Sequence, residues 1–279
     1  MKTFGLIGAG AMVLAASAGG QTVFSAAGAD AASITGSVDS FRAAISLGGS
    51  NNGVAGGPFL TGRREVNWDA PGLDAFQSPG VMPANFFNAN SRRGAVVTTP
   101  DGTGVLVSKR NNLDASDPAR KFGDINPAYA TQFSTFSPLR LFGVRGGVVS
   151  ETTFFVPNEP SSAATVNGFG VVFTDVDVAG SSGIELFDEA GLLLASASAA
   201  VSPDAGLSFL GIFLDPGQRV FRARVTSGNL AMSATALDGG GLDVVAMDDF
   251  FYSEPVAIPA PASALVLMAG ALAVGRRRR

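Results

Sequence analysis

The 279-residue chain contains no cysteine and no histidine. The first absence leaves the fold without disulfides. The two together exclude Ser-His-Asp and Cys-His nucleophilic sites, histidine-ligated zinc, and haem held by either residue. Lysine occurs three times, tyrosine twice and tryptophan once, so amine and phenol chemistry has few candidates. What remains for catalysis is a pair of carboxylates of the glycosidase kind, and the expectation is a protein that is not an enzyme. Helix-favouring residues are also scarce. Six glutamates and three lysines stand against 36 glycines, which points away from a helical architecture.

Net charge is −4, but the basic residues are unevenly placed. Lys2 and Arg276–Arg279 lie at the two ends; without them 14 basic residues face 23 acids, a balance of −9. A surface that acidic repels phosphate backbones, so nucleic acid is excluded as a partner.

Both ends read as traffic signals. Lys2 precedes an apolar stretch, Phe4–Ala16, and Ala16-Ser17-Ala18 offers a small-x-small cleavage site, the pattern of a secretory signal peptide over residues 1–18. A second cleavage site near Ala26–Ala29 would move the mature start to about residue 30. At the other end, Val256-Ala257-Ile258-Pro259-Ala260-Pro261 leads into the apolar run Ala262–Gly275 and stops at Arg276-Arg277-Arg278-Arg279. As a helix those 14 residues would rise about 21 Å. A hydrocarbon core of about 30 Å calls for about 20 apolar residues, a length reached over 256–275. Four arginines cannot cross cheaply and would hold the terminus on the cytoplasmic side. A short alanine-rich segment favours transient membrane retention; a permanent tail anchor is the alternative.

Between the ends, 148–252 reads as short strands separated by turns. Arg219–Val225 alternates arginine with Phe221, Ala223 and Val225, so it is half buried. Phe169–Phe173 and Leu207–Leu214 are apolar on both faces, as in the interior of two packed sheets. Asp188-Glu189-Ala190-Gly191 marks a hairpin turn between Ile184–Phe187 and Leu192–Ala195, and Asp215-Pro216-Gly217 another. Earlier strands are expected at Arg64–Trp68, Gly94–Thr98 and Gly104–Ser108. Ser37–Leu47 is expected as a short helix capped by Ser37 and stopped by Gly48-Gly49. The sum is an all-β, antiparallel two-sheet sandwich of about twelve strands, jelly-roll or lectin-like, with a short N-terminal helix and hydrophobic helices at the termini. The body is expected over 30–254 as one domain, with two sub-lobes meeting near 147.

The tail resembles a PEP-CTERM sorting signal in which Pro259-Ala260-Pro261 stands where Pro-Glu-Pro is usual, followed by the hydrophobic segment and Arg276–Arg279. The missing glutamate is a departure that bears on which enzyme processes it. The resemblance implies an exosortase-like processing enzyme as partner, a destination at the cell surface or outside the cell, and an association with extracellular polysaccharide and biofilm. The body is similar to secreted β-sandwich proteins that carry this tail. The matching stretches are Arg63–Asp69, Gly168–Asp177 and Val245–Phe250, and no activity comes with the resemblance.

Four acids draw attention in the body. Asp175 and Asp177 share strand parity with Phe169, Val171 and Phe173, so a continuing strand would place two carboxylates about 6–7 Å apart on an apolar face. Asp248 and Asp249 are adjacent and in a strand must point to opposite faces. A buried unpaired carboxylate is costly, and a calcium ion, which takes six to eight oxygens, would relieve it. Two other outcomes stand beside that one: the aspartates end their strands and bond turn amides, or they pair with Arg222, Arg224 or Arg140. Trp68 is either a core anchor or a platform for a sugar ring. The arginine pairs 63–64 and 92–93 read as solvated, with acidic polysaccharide as the alternative ligand. Taken together, the sequence predicts an exported surface or matrix protein, structural or adhesive, that contacts carbohydrate. A carboxylate-based glycan-active enzyme is the competing reading.

Overall fold

The computed structural model describes residues 20–57, 59–110, 116–215 and 217–258. Among them fourteen strands form two antiparallel sheets. In chain order these are β1 (Gln21–Gly28), β2 (Arg63–Val66), β3 (Ala95–Thr98), β4 (Val105–Val107), β5 (Phe142–Val144), β6 (Val149–Val156) and β7 (Glu159–Thr165). Then follow β8 (Gly168–Thr174), β9 (Gly183–Phe187), β10 (Leu193–Ser198), β11 (Leu207–Leu214), β12 (Arg222–Thr226), β13 (Ala246–Ser253) and β14 (Val256–Ala257). The first sheet runs β1-β11-β8-β13-β5-β4, with β2 also on β13; the second runs β10-β9-β12-β6-β7-β14, with β3 on β6. The architecture is the expected all-β sandwich.

Burial explains why particular segments became strands. The two inner faces enclose one apolar cluster that includes Phe154, Phe169, Val171, Phe173, Phe250 and Tyr252. The outer face of the first sheet is covered in turn by α1 (Ala31–Ser46), whose Ile34, Val38, Phe41 and Ile45 pack on Val172, Leu207, Phe209 and Phe251. β8 therefore lies buried on both faces along its whole length, and β11 nearly so. That is why these two carry no polar alternation. Gly170 and Gly211 sit directly opposite each other across β8 and β11. A Cβ on either would stand 2.7 Å from the Phe41 ring, so the paired glycines form the hollow that seats the helix.

α1 begins six residues before the expected Ser37. Asp30 is its cap, accepting the Ser33 N–H at 3.0 Å, while Ser37 is buried inside the helix. The extra turn exists because Ile34 is fully buried against the sheet, a tertiary gain that outweighs the weak helix propensity of Thr35 and Gly36. The end is close to expectation, with Leu47 and Gly48 in the left-handed region. β12 starts at Arg222 and buries Ala223 and Val225, but Phe221 is only half buried. The Asp188–Gly191 turn joins β9 to β10 as read from the sequence, with the Asp188 carboxylate accepting the Leu192 N–H at 2.8 Å.

Several expectations are corrected. The folded body starts at Gln21 and not at 30, because β1 pairs with β11 along all eight residues. Val256 and Ala257 pair with Thr165 and Ala164 as β14, so these two residues complete a sheet edge and do not begin a helix. Strands from both sides of residue 147 share the first sheet. Phe86 and Phe87, neighbours that in a strand would face opposite ways, lie in a π-helical turn, Phe86–Asn90, and both rings enter the same core. Arg64, expected in solvent, is fully buried and makes a bidentate pair with Glu254 at 2.6 Å twice, with the Gly53 and Ala55 carbonyls at 2.8 and 2.9 Å. Among the described residues no helix is long and apolar enough to cross a membrane. The expected signal peptide, and the sorting residues Pro259, Ala260, Pro261 and Arg276–Arg279, lie outside the described residues.

Candidate functional site

β8, β11 and β13 meet at one end of the first sheet, and there the acids gather. β8 stops at Thr174 because Asp175 takes a φ of +68°, a left-handed conformation that aspartate tolerates better than most residues. The chain then folds over the strand ends. The Asp175 N–H donates to the Gly206 carbonyl at 2.9 Å, and its Oδ1 accepts from the Ala205 N–H at 2.7 Å. Asp238 arrives from the loop before β13, accepting from the Val244 N–H at 2.5 Å and from the Gln132 amide. Asp175, Asp177 and Asp238 each present a carboxylate oxygen within 4.8 Å of the others. Buried Asp243 stands behind them, taking the Asp177 and Val178 N–H groups at 3.3 and 3.2 Å and the Ser181 hydroxyl.

The electrostatics of this group are one-sided. Burial pushes the Asp175 carboxyl up to about 7, reinforced by Asp177 and opposed by the Ala205 amide. Asp177 is raised by burial and then by Asp238, Asp243 and Asp204. Asp238 is raised chiefly by burial, against the Val244 N–H bond. The arginines proposed as partners go elsewhere: Arg222 and Arg224 to Glu151, Arg140 to Asp74. Among the described residues no ion pair reaches Asp175, Asp177 or Asp238. An all-oxygen donor set with this negative charge suits a hard cation. Oxygens no more than 4.8 Å apart fit within a calcium coordination sphere, whose diameter is about 4.6–5.2 Å.

The sequence quartet therefore divides. Asp175 and Asp177 belong to the cluster, brought together by a turn and not by strand parity. Asp238 was missed, although the run Asp238-Gly239-Gly240-Gly241 marks a turn immediately before β13. Asp248 and Asp249 are not part of it. They form a bulge in β13: Met247 faces Phe173 and Phe250 faces Val171, leaving two residues opposite Val172. Met247 and Phe250 both point into the sandwich, so both carboxyls point out, contrary to the opposite faces expected of neighbours in a strand. The Asp248 carboxylate takes the Phe136 and Ser137 N–H groups at 2.6 and 3.2 Å and the Ser137 hydroxyl at 2.9 Å. Burial raises both carboxyls, Asp248 well above the usual range with Asp249 adding to it, Asp249 to about 6. The pair is two neighbouring buried carboxyls whose burial favours the protonated form.

Trp68 does not meet solvent. It is fully buried, stacks on Phe142 at 4.1 Å, takes the edges of Phe87 and Phe250 at 5.1 Å, and donates from Nε1 to the Asp248 carbonyl at 2.7 Å. It is a core anchor and not a sugar platform, because the rings of Phe87, Phe142 and Phe250 enclose it between the sheets.

No protein-family model matches the chain, and no curated relative does. Among solved structures, the chain is similar to the enzymatically active domain of bacteriophage CBA120 tailspike protein 4, at 14% identity and a TM-score of 0.27. The likeness covers 62% of this chain and 21% of that one, so this chain spans about a fifth of the length of the protein it matches.

Proposed function

We propose that this is an exported β-sandwich protein of the cell surface or extracellular matrix, with a structural or adhesive role in contact with polysaccharide and a calcium ion held at the aspartate cluster. The observation that carries the metal is the Asp175–Asp177–Asp238 group, three converging oxygens that no ion pair reaches among the described residues. Calcium there would tie the turn after β8 to the loop before β13, two segments 61 residues apart at their nearest cluster members, Asp177 and Asp238. Export rests on the end sequences, whose PEP-CTERM-like pattern implies processing by an exosortase-like enzyme and transient residence in the membrane. Two experiments test this. Isothermal titration should give one calcium per chain, abolished in Asp175→Asn; heat-silent titration with no change in melting temperature would remove the metal. Mass spectrometry of the mature protein should find Arg276–Arg279 gone; an intact Arg279 on membrane-bound protein would favour the permanent anchor.

One observation favours a second reading, a glycan-active enzyme. Asp175 holds its proton to about 7 beside other carboxyls, and a protonated acid near an ionised one is the pairing that glycosidases use. Release of reducing ends from polysaccharide, lost in Asp175→Asn, would establish it.

A further inference from the structure

A concavity lies apart from the aspartate cluster, where the 3₁₀ turn Pro71–Phe76, the π-helical turn Phe86–Asn90 and the β6–β7 hairpin meet. It is a cleft of about 650 Å³, within the roughly 300–1,000 Å³ typical of small-ligand sites. Its floor is aromatic. Phe76 and Phe86 meet edge to face with centroids 6.0 Å apart, and Gly72 beside them carries no side chain to fill the space. Its rim is polar: Asn90, Arg92 and Asn158. Asn158 sits at the hairpin tip with φ +69°, and its side-chain Oδ1 accepts from Arg92 Nη1 at 3.2 Å.

Arg92 is the informative residue. In a body where acids outnumber bases, the other arginines around it are engaged: Arg63 with Glu65, Arg64 with Glu254, Arg93 with the Glu65 carbonyl. Arg92 is exposed, and its partner is a neutral carboxamide; among the described residues no carboxylate forms a salt bridge with it. A guanidinium so placed keeps its planar fork for a carboxylate brought from outside. Carboxamides on the same rim offer donors and acceptors for hydroxyls, and ring faces suit the C–H faces of a pyranose.

We infer that this cleft is a saccharide subsite that selects an acidic sugar, the uronate carboxylate meeting Arg92, hydroxyls meeting Asn90 and Asn158, and the sugar's apolar face resting on Phe76. The inference rests on the reading of the protein as a polysaccharide-contacting module and adds the place and the chemical class. Fluorescence polarisation with labelled tetragalacturonate, against labelled neutral tetragalactan, tests it on the purified protein at fixed calcium. The acidic probe should bind, salt should weaken it, and the neutral probe should bind at least tenfold less tightly. Arg92→Ala should lose about tenfold in affinity, Arg92→Lys less, and Asn158→Ala a few-fold. Both positions changed are exposed side chains, and an unaltered near-ultraviolet circular dichroism spectrum confirms the fold. Acidic binding that survives Arg92→Ala would overturn the cleft while leaving polysaccharide contact standing. Equal binding of both probes would overturn the acidic selection. Binding of neither probe, nor of any other polysaccharide, would overturn the cleft and the polysaccharide reading together.

Discussion

The sharpest quantity the aspartate cluster yields is the pH dependence of calcium binding. Asp175 keeps its proton to about 7 when folded, against 3.8 ordinarily. Between those values the folded chain binds more protons than the unfolded one, so without calcium this group lowers stability as pH rises from about 4 to about 7. Calcium needs the ionised form and must displace that proton. With one proton displaced, affinity should rise about tenfold per pH unit up to about 7 and then level off. That is about 100-fold between pH 5 and pH 8, or about 2.7 kcal/mol at 1.36 kcal/mol per unit. At pH 8, calcium at 100 times its dissociation constant would add about 2.7 kcal/mol of stability. For a body of this size that corresponds to about 5–10 °C in melting temperature. Titration calorimetry at pH 5, 6, 7 and 8, with scanning fluorimetry in calcium and in chelator, measures both. In Asp175→Asn, which lacks that oxyanion, calcium should give no binding heat and no rise in melting temperature at any of these pH values. An affinity that stays flat from pH 5 to 8 would refute the proposed coupling between the buried acid and the cation.

Three further perturbations follow from the packing. Glu254→Ala leaves the Arg64 guanidinium buried without its carboxylate and should cost about 3–5 kcal/mol in urea unfolding; a cost under 1 kcal/mol would mean the arginine escapes to water. Gly211→Ala sets a methyl 2.7–2.9 Å from three atoms of the Phe41 ring and should cost about 1–3 kcal/mol, with α1 losing hydrogen-exchange protection first. Asp249→Asn removes a carboxyl that burial raises to about 6. The parent loses stability between about pH 4 and 6 as that proton leaves, so the variant should show a flatter slope there, read by unfolding at pH 4.5 and 7.5; an unchanged slope would show that the pair does not titrate in that window.

The sequence exposes those parts of the fold that burial alone decides. β8 and β11 stand out because a strand covered on both faces has no polar position to alternate, and the Asp188–Gly191 hairpin because its aspartate bonds the chain four residues on. The start of α1 was hidden because Ile34 earns its helical turn only by touching a sheet built from residues 168–174 and 207–214. Local propensity favoured the later cap. The bulge at Asp248–Asp249 is invisible to a period-two pattern, since one extra residue restores the apolar phase at Phe250 while sending both acids the same way. Asp238 shows the same limit at long range: its chemistry is plain, but only the fold brings it beside Asp175.

The two ends of the described body leave from one pole. Gly20 lies against Asp215 and Gln218, and Val256 pairs with Thr165. β8 departs from that neighbourhood at Gly168 and reaches Asp175 only after seven residues, about 23 Å away. The acid cluster therefore stands at the far end of β8 from both ends of the described body, so a cation bound there and a tether fixed at either end would approach from opposite poles.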